Sequence, residues 1–177
     1  MKFRLQYASN LFVTKHHAPV FPHFLQPKAP HLALVGNIGN PNDPRFDHFF
    51  QWASRRWDTI VYVPGQLEQP HADQVYEYLK HYSHIHILTP KHPFFLFQHI
   101  PIALWTPQDD PPTVYRKVFL FSYHCHDTRV CLESRATIYS HGVNYEHKNV
   151  YTNSRGDNEC PLQGYNKAAI IHVDLSV

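Results

Sequence analysis

The sequence contains few glycines, few cysteines and little charge for its length. Only six of its 177 residues are glycine, and no glycine-rich loop of the kind that cradles a nucleotide phosphate is present. The three cysteines are an odd number in a chain too long to need disulfide staples, which favours reduced thiols in a cytosol-like compartment. These shortages argue against nucleotide-binding folds and against a disulfide-rich secreted domain.

Long apolar runs and blocks of like charge are also absent. No stretch reaches the roughly 18 apolar residues of a membrane span, and the opening residues lack the pattern of a secretion signal. Sixteen Lys and Arg against 14 Asp and Glu leave a net charge of +2 without a basic block, so no nucleic-acid partner is predicted. We expect a protein that is not secreted, located in the cytoplasm or within an intracellular assembly.

What the chain does contain is enough apolar material for a core. Hydrophobic residues make up 43% of it and charged residues 17%, which is typical of a folded protein. At roughly 100 to 200 residues per domain, this length predicts a single domain over residues 1–177. The 16 histidines are unusual, and they indicate a compositional bias more simply than a pH sensor.

Strand and helix patterns alternate through the first half of the chain. Apolar or β-branched runs predict strands at Phe3–Tyr7, Leu32–Val35 and Thr59–Val63. One helix is predicted from a cap at Asp43 to Trp57, because aromatic residues recur there at spacings of three and four. A second helix is predicted at His71–His81, with its buried face formed by Ala72, Val75, Tyr76 and Leu79.

The second half of the chain reads as a series of short strands separated by turn residues. The six candidates are Ile85–Leu88, Ile100–Trp105, Val118–Phe121, Ala136–Tyr139, Asn149–Asn153 and Ala168–Val173. Together with the alternating first half, this order predicts an α/β fold.

Short segments that follow the predicted strands carry a resemblance to a known family. They read YASNLF at residues 7–12, LVGNIGNP at 34–41, VYVPGQLE at 61–68, LWT at 104–106, FSYH at 121–124, SHGV at 140–143, NSRG at 153–156 and GYN at 164–166. In this order they resemble the calcineurin-like metallophosphoesterases, and specifically the small group whose members start with a YASDLHLE-like segment. The resemblance covers nearly the whole chain, and the order of the segments carries it.

The resemblance implies a four-layer α/β sandwich whose strand-end loops hold two divalent metals that clamp a phosphate and activate a water. Two cations about 3.5 to 4 Å apart repel each other, so such a site needs a bridging carboxylate and a second carboxylate nearby. Imidazole and amide ligands fill the remaining positions. Replacing the carboxylates by amides removes the negative charge that holds the metals.

At the first three of these motifs, this sequence departs from the family's ligands. The Asp-x-His motif has Asn10 and Phe12, and the bridging Asp is Asn37. In the Gly-Asn-His-Glu motif, Gln66 stands at the Asn ligand and Leu67 at the catalytic His. One expected ligand has thus become a hydrocarbon ring, and both carboxylates have become neutral amides.

The two later motifs are also incomplete. The first His of the Thr-His-His motif is Tyr123, with His124 beside it, and the Gly-His-Thr-His motif keeps His141 but has Val143 at its second His. Only His141 keeps its ligand type, and divalent ions without neutralising carboxylates are costly in a partly buried site. We therefore expect no binuclear metal centre, no catalytic residue and no cofactor.

The sequence is also shorter than the family between Trp105 and Val118, where relatives insert a long helical segment. The fold is therefore predicted to be shortened by the loss of capping helices. Val118, Phe119, Leu120 and Phe121 form an apolar run that would then lack a cover. We expect a protein partner, self-association, or a rearranged segment such as Ala18–Pro30 to cover this candidate interface.

These departures favour a pseudoenzyme: a catalytically inactive metallophosphoesterase-fold protein that serves as a structural or protein-interaction subunit of a larger assembly, such as a virion. The alternative is a residual metal-dependent phosphoesterase that binds one metal through His124, His141 and amide carbonyls. A structural zinc on His124, Cys125, His126 and Cys131 is a third interpretation, which the lack of paired ligand spacings disfavours.

Overall fold

Eight strands and three α-helices make up the part of the chain that the structure describes. The computed structural model describes residues 2–15, 21–89, 94–97, 100–105, 118–121, 155 and 165–174. In chain order the elements are β1 (Lys2–Ala8), α1 (Phe21–Phe24), β2 (His31–Val35), α2 (Pro44–Ser54), β3 (Thr59–Val63), α3 (Ala72–Leu79), β4 (Ile85–Ile87), β5 (Phe94–Phe97), β6 (Ile100–Trp105), β7 (Val118–Phe121) and β8 (Ile170–Asp174).

A five-stranded sheet with the order β4-β3-β2-β1-β8 forms the centre of the fold. Strands β1 to β4 are parallel, and β8 runs antiparallel to β1. Helix α2 connects β2 to β3 and helix α3 connects β3 to β4, as parallel neighbours require a crossover connection. The predicted α/β class is confirmed.

Helix α2 begins where the sequence predicts it. The Asp43 carboxylate caps the helix by accepting a hydrogen bond from the Arg45 backbone N–H at 2.9 Å, and Pro44 occupies the first turn. The helix ends at Ser54 rather than at Trp57, which lies buried in the following loop. Its buried side chains are Phe46, Phe49, Phe50 and Ala53.

Helix α3 is shorter than predicted, and its buried face is different. A turn of 3₁₀ helix at Gln69–His71 precedes it, and it ends at Leu79. Val75 and Leu79 are buried as predicted, but Ala72 is exposed and Tyr76 is 57% exposed. The helix is rotated so that Tyr78, rather than Tyr76, joins Val75 and Leu79 against the core.

The helix-facing side of the sheet packs against a cluster of aromatic rings. The Phe49 ring lies 5.4 Å from the Phe50 ring and 5.5 Å from the Phe21 ring, between ring centroids. The Phe50 ring lies 5.1 Å from the Tyr62 ring of β3. Phe21 belongs to α1, so the described part of the Pro-rich stretch Ala18–Pro30 packs on α2, on the helix side of the sheet.

A buried glutamine of β1 holds the segment after α1 in place. The Gln6 side-chain Nε2 donates to the carbonyls of Gln26 and Lys167 at 2.7 and 3.0 Å. Its Oε1 accepts from the Lys28 backbone N–H at 3.0 Å and from Trp57 Nε1 at 3.3 Å. Gln6 is fully buried and all its polar atoms are hydrogen-bonded, as burial of an amide demands.

The other face of the central sheet is buried as well. A three-stranded sheet with the order β5-β6-β7 lies against it, with β7 packed on β2 and β6 packed on β3. The central-sheet residues buried on this face include Leu5, Ala33, Val35, Val61 and Val63. The described residues thus form a layer of helices and two layers of sheet.

Four of the six strands predicted for the second half of the chain are present in the structure. The strands near Ile85, Ile100, Val118 and Ile170 are confirmed, and β5 was not predicted. The predicted strands at 136–139 and 149–153 lie outside the described residues. Val118–Phe121 form β7, which lies against β2. A partner that covers this strand stays a prediction.

Candidate functional site

The loops that follow β1, β2 and β3 meet at one edge of the central sheet, because the carboxyl ends of parallel strands point the same way. Backbone hydrogen bonds join the first two loops: the N–H groups of Asn10, Phe12 and Val13 donate to the carbonyls of Gly36, Asn37 and Ile38 at 3.0, 3.1 and 2.7 Å. The Gly36 N–H donates to the Val63 carbonyl at 2.8 Å. The first three family-like segments, at residues 7–12, 34–41 and 61–68, therefore lie together.

Three residues of these loops have a left-handed backbone that L-residues rarely adopt. The φ angles are 50° at Asn10, 48° at Phe12 and 52° at Asn37. Asparagine tolerates this region better than most residues, whereas an aromatic residue there is strained. All three are positions at which the family resemblance places metal ligands, so the unusual backbone coincides with the candidate site.

The side chains of Asn10 and Asn37 are hydrogen-bonded to each other. Asn37 Nδ2 donates to Asn10 Oδ1 at 2.9 Å, and Asn37 Oδ1 accepts from the Leu67 backbone N–H at 3.2 Å. Because the Leu67 N–H needs an acceptor, the Asn37 oxygen faces Leu67 and the Asn37 amino group faces Asn10. Asn10 is 3% exposed and Asn37 is 1% exposed. One amide thus connects the loops after β1, β2 and β3.

Phe12 stands at the position where the resemblance predicts a histidine ligand. Its ring is buried, with 4% of the residue exposed. The ammonium group of Lys15, which is itself exposed, lies 5.1 Å from the ring centroid. A hydrocarbon ring therefore stands at this position, and the charge nearest to it in the described contacts is positive.

Gln66 and Leu67 do not extend the polar pair. Gln66 is exposed, and no hydrogen bond joins its side chain to Asn10 or Asn37 within the described residues. Leu67 is half-buried and contributes its backbone N–H rather than its side chain. Of the family positions that the structure describes, only Asn10 and Asn37 are joined by their side chains.

Glu68 lies in the same motif as Gln66 and Leu67, and no role was predicted for it. Glu68 is fully buried, and Oε2 accepts from the backbone N–H groups of Asn37 and Gly65 at 3.1 and 2.6 Å. Oε1 accepts from the Gly39 N–H at 2.9 Å. The carboxyl group therefore fixes the loops after β2 and β3 to each other.

Burial controls the charge of Glu68. Removal from water raises the pKa of Glu68 to about 7, while the backbone N–H groups that donate to it, led by that of Gly39, oppose the rise. The hydroxyl of Tyr62, a fully buried residue, lies close to Glu68 without a well-aligned hydrogen bond. Burial, and then the neighbouring Glu68, raise the pKa of Tyr62 well above its usual value.

Glycine at position 65 allows this close approach. A Cβ atom on Gly65 would lie 2.3 Å from the Asn37 backbone nitrogen and 2.8 Å from the Gly36 Cα. No side chain fits at those distances without moving the backbone of the neighbouring loop. In the Gly-x-x-Glu motif, Gly65 therefore allows the loops after β2 and β3 to pack closely, and Glu68 joins them by hydrogen bonds.

Arg155 attaches the later part of the chain to the first loop. Its backbone N–H donates to the Ser9 carbonyl at 3.1 Å, and its Nη1 donates to the Leu11 carbonyl at 3.4 Å. The guanidinium lies 4.3 Å from the centroid of the Phe24 ring. Partial burial lowers the pKa of Arg155, and Tyr165 opposes this shift.

The remaining predicted positions are Tyr123, His124, His141 and Val143, and they lie outside the described residues. Within the described part of the chain, no group of three or more His, Cys, Asp or Glu side chains is arranged to hold a metal ion. The groups that the structure does bring together are neutral amides and one buried carboxyl, each hydrogen-bonded to another loop. These hydrogen bonds hold the loops after β1, β2 and β3 together.

Comparisons with known proteins give one partial similarity. No protein-family model and no solved structure matches the chain. Among curated proteins, the uncharacterized protein L509 of Acanthamoeba polyphaga mimivirus is 46% identical over 46 residues, which are 26% of this chain and 16% of that protein. Over the residues that the structure describes, no helix is long and apolar enough to cross a membrane.

Proposed function

We propose that the chain is a catalytically inactive protein of the metallophosphoesterase type, with its four-layer sandwich, that serves as a structural or protein-interaction subunit of a larger assembly. The hydrogen bond between the amides of Asn10 and Asn37 carries this proposal. The α/β fold and the meeting of the family-like loops at one sheet edge support it.

The amide pair removes the need for a cation. Two carboxylates at these positions would bring oxygens with like charge to about the 2.9 Å that separates Asn37 Nδ2 from Asn10 Oδ1. Such a pair is stable only if a cation or a proton lies between the oxygens. An amide provides both a donor and an acceptor, so Asn37 satisfies Asn10 and Leu67 with no ion.

Neighbouring groups also disfavour a cation at this edge. Phe12 offers no ligand atom, and the ammonium of Lys15 lies over its ring. The carboxyl of Glu68 is engaged by three backbone N–H groups. The described acceptors at this edge are therefore committed to hydrogen bonds between loops.

The strained backbone supports a scaffold role. Residues held in the left-handed region cost on the order of 1–3 kcal/mol each, and they persist only where the surroundings fix them. Here Asn10, Phe12 and Asn37 keep that conformation beside the hydrogen bond between the Asn10 and Asn37 amides. We infer that the function depends on the shape of these loops, as a structural or interaction role requires.

Metal content and hydrolysis test the proposal. The full chain, purified without chelators, is analysed for manganese, iron and zinc and then assayed with a generic aryl phosphate in the presence of each metal. We expect less than one metal ion per chain and no hydrolysis above the rate of a heat-denatured sample.

The variants His141→Ala and His124→Ala serve as controls. If the protein holds a pair of metal ions and hydrolyses the phosphate, with loss of activity in His141→Ala, the pseudoenzyme proposal is wrong. Weak activity with a single ion that depends on both histidines would instead establish the residual phosphoesterase.

A further inference from the structure

Four basic side chains gather at the β1–β8 edge of the central sheet, and we call them the basic cluster: Arg4, Lys28, Lys167 and His172. They come from three separate segments of the chain, so the sequence shows no basic block. Arg4, Lys28 and His172 are exposed, and Lys167 is partly exposed. The fold therefore creates a charged surface that sequence reasoning missed.

The sheet register and the Gln6 hydrogen bonds place these residues together. Arg4 lies directly opposite His172 in the antiparallel pair of β1 and β8, so their side chains share a face. The Arg4 guanidinium donates to the Lys28 carbonyl. Gln6, on the same face as Arg4, binds the Lys28 N–H and the Lys167 carbonyl at 3.0 Å each.

The ion pairs that the structure describes lie away from the basic cluster. The ion pairs among the described residues are Arg45 with Asp43 and Lys80 with Glu77, and neither involves this edge. At the end of the same ladder, Lys2 lies opposite Asp174. Asp and Glu side chains of a partner segment would supply the charge opposite to that of Arg4, Lys28 and Lys167.

We propose that the basic cluster is a docking surface for an acidic segment of a partner protein. This inference rests on the proposed interaction role and names the chemistry of the partner. Oppositely charged surfaces of this kind raise the rate and the specificity of association.

The small extent of the basic cluster and the low net charge of the chain favour a protein partner over a nucleic acid. Nucleic-acid binding needs a basic patch or stripe that neutralises a series of phosphates. The basic cluster is confined to one sheet edge of a chain whose net charge is only +2. A short run of Asp and Glu side chains matches this extent.

Binding to a fluorescein-labelled poly-glutamate peptide tests the inference. Anisotropy is measured at low ionic strength for the full-length protein and for the double variant Lys28→Gln/Lys167→Gln, whose lysine side chains make no described hydrogen bond. The matched control is Arg55→Gln/Lys80→Gln, which removes the same charge from exposed positions on other elements. We expect the affinity to fall about fivefold in the first variant, little in the control, and strongly with added salt.

Three outcomes would overturn the inference. They are no binding of poly-glutamate by the unmodified protein, equal loss in the two double variants, and tighter binding of a labelled single-stranded oligonucleotide than of the peptide. The metal and hydrolysis measurements do not involve this edge, so a failure here leaves the pseudoenzyme proposal standing.

Discussion

The aromatic core under α2 and the polar loops at the carboxyl edge are both removed from water, but they are held by different forces. Phe46, Phe49 and Phe50 pack through ring contacts that tolerate small shifts. Asn10, Asn37 and Glu68 are as completely buried, yet each depends on hydrogen bonds with fixed geometry.

The comparison shows what each region contributes. Burial of apolar surface is non-directional and supplies most of the free energy of folding. A buried hydrogen-bond network adds little net stability, but it penalises every arrangement that leaves one of its groups unpaired. We infer that the core keeps the chain folded and that the loop network determines the shape of the site.

Removing a core ring should produce the largest effect. Phe49 is fully buried between α1 and α2, so Phe49→Ala leaves a cavity and should lower the free energy of unfolding by about 4 kcal/mol. Urea denaturation followed by tryptophan fluorescence measures the change. Tyr76→Ala, at a residue that is 57% exposed, should cost less than about 0.5 kcal/mol. Equal losses in the two variants would show that the aromatic cluster is not the core.

Restoring two carboxylates should break the loop network. Asn10→Asp/Asn37→Asp replaces a donor–acceptor pair by two acceptors, and we expect about 3 kcal/mol of lost stability at pH 8. Each single variant should lose about 1 kcal/mol, because the remaining amide can still donate to the new carboxylate. The double-mutant cycle measures the coupling energy. Additive single losses would mean that the two side chains do not interact.

The pH dependence of stability should report on Glu68. Its pKa is about 7 in the folded chain and 4.5 in its unperturbed form, so between these values the folded state holds a proton that the unfolded state has lost. Stability should therefore be greatest below about pH 4.5, fall as the pH rises to about 7, and then level off, as far as this group determines it.

The variant Glu68→Gln isolates this contribution from that of the histidines. Its amide oxygen can still accept from the N–H groups of Asn37 and Gly65, but it has no charge to titrate. The difference in unfolding free energy between the two proteins should shift by on the order of 3 kcal/mol across this pH window. Parallel curves would show that Glu68 does not titrate there.

Loss of the Arg155 side chain should give the smallest effect. Arg155→Gln removes the guanidinium from the Phe24 ring and from the Leu11 carbonyl, which should cost about 1 kcal/mol. Arg155→Lys keeps the charge and should recover part of that loss. Thermal unfolding of the three proteins makes the comparison. A larger loss than in Phe49→Ala would contradict the ranking of the two regions.

Much of the fold could be predicted from local patterns. The cap at Asp43 and the buried aromatic face of α2 follow from spacing alone, and the early strands follow from continuous apolar runs. The rotation of α3 could not be predicted, because Tyr76 and Tyr78 both flank Val75 and Leu79 on a helical projection. Only contact with β4 and the core decides between them.

Several residues of the site could be predicted from the sequence, but the hydrogen bonds that join them could not. The resemblance directed attention to Asn10, Asn37 and the loop after β3, which the structure brings together. The role of Glu68 was missed, since its burial and its three backbone donors depend on the tertiary fold. The motif spacing Gly-x-x-Glu was the available signal.

The antiparallel pairing of β1 with β8 places the first and last described strands side by side. A ribosome releases β1 long before β8, so during synthesis the β1 edge next to Arg4 and Gln6 stays unpaired until β8 has also been made. Contacts of such large sequence separation also form slowly in refolding. We expect nascent chains to need protection of that edge until β8 emerges.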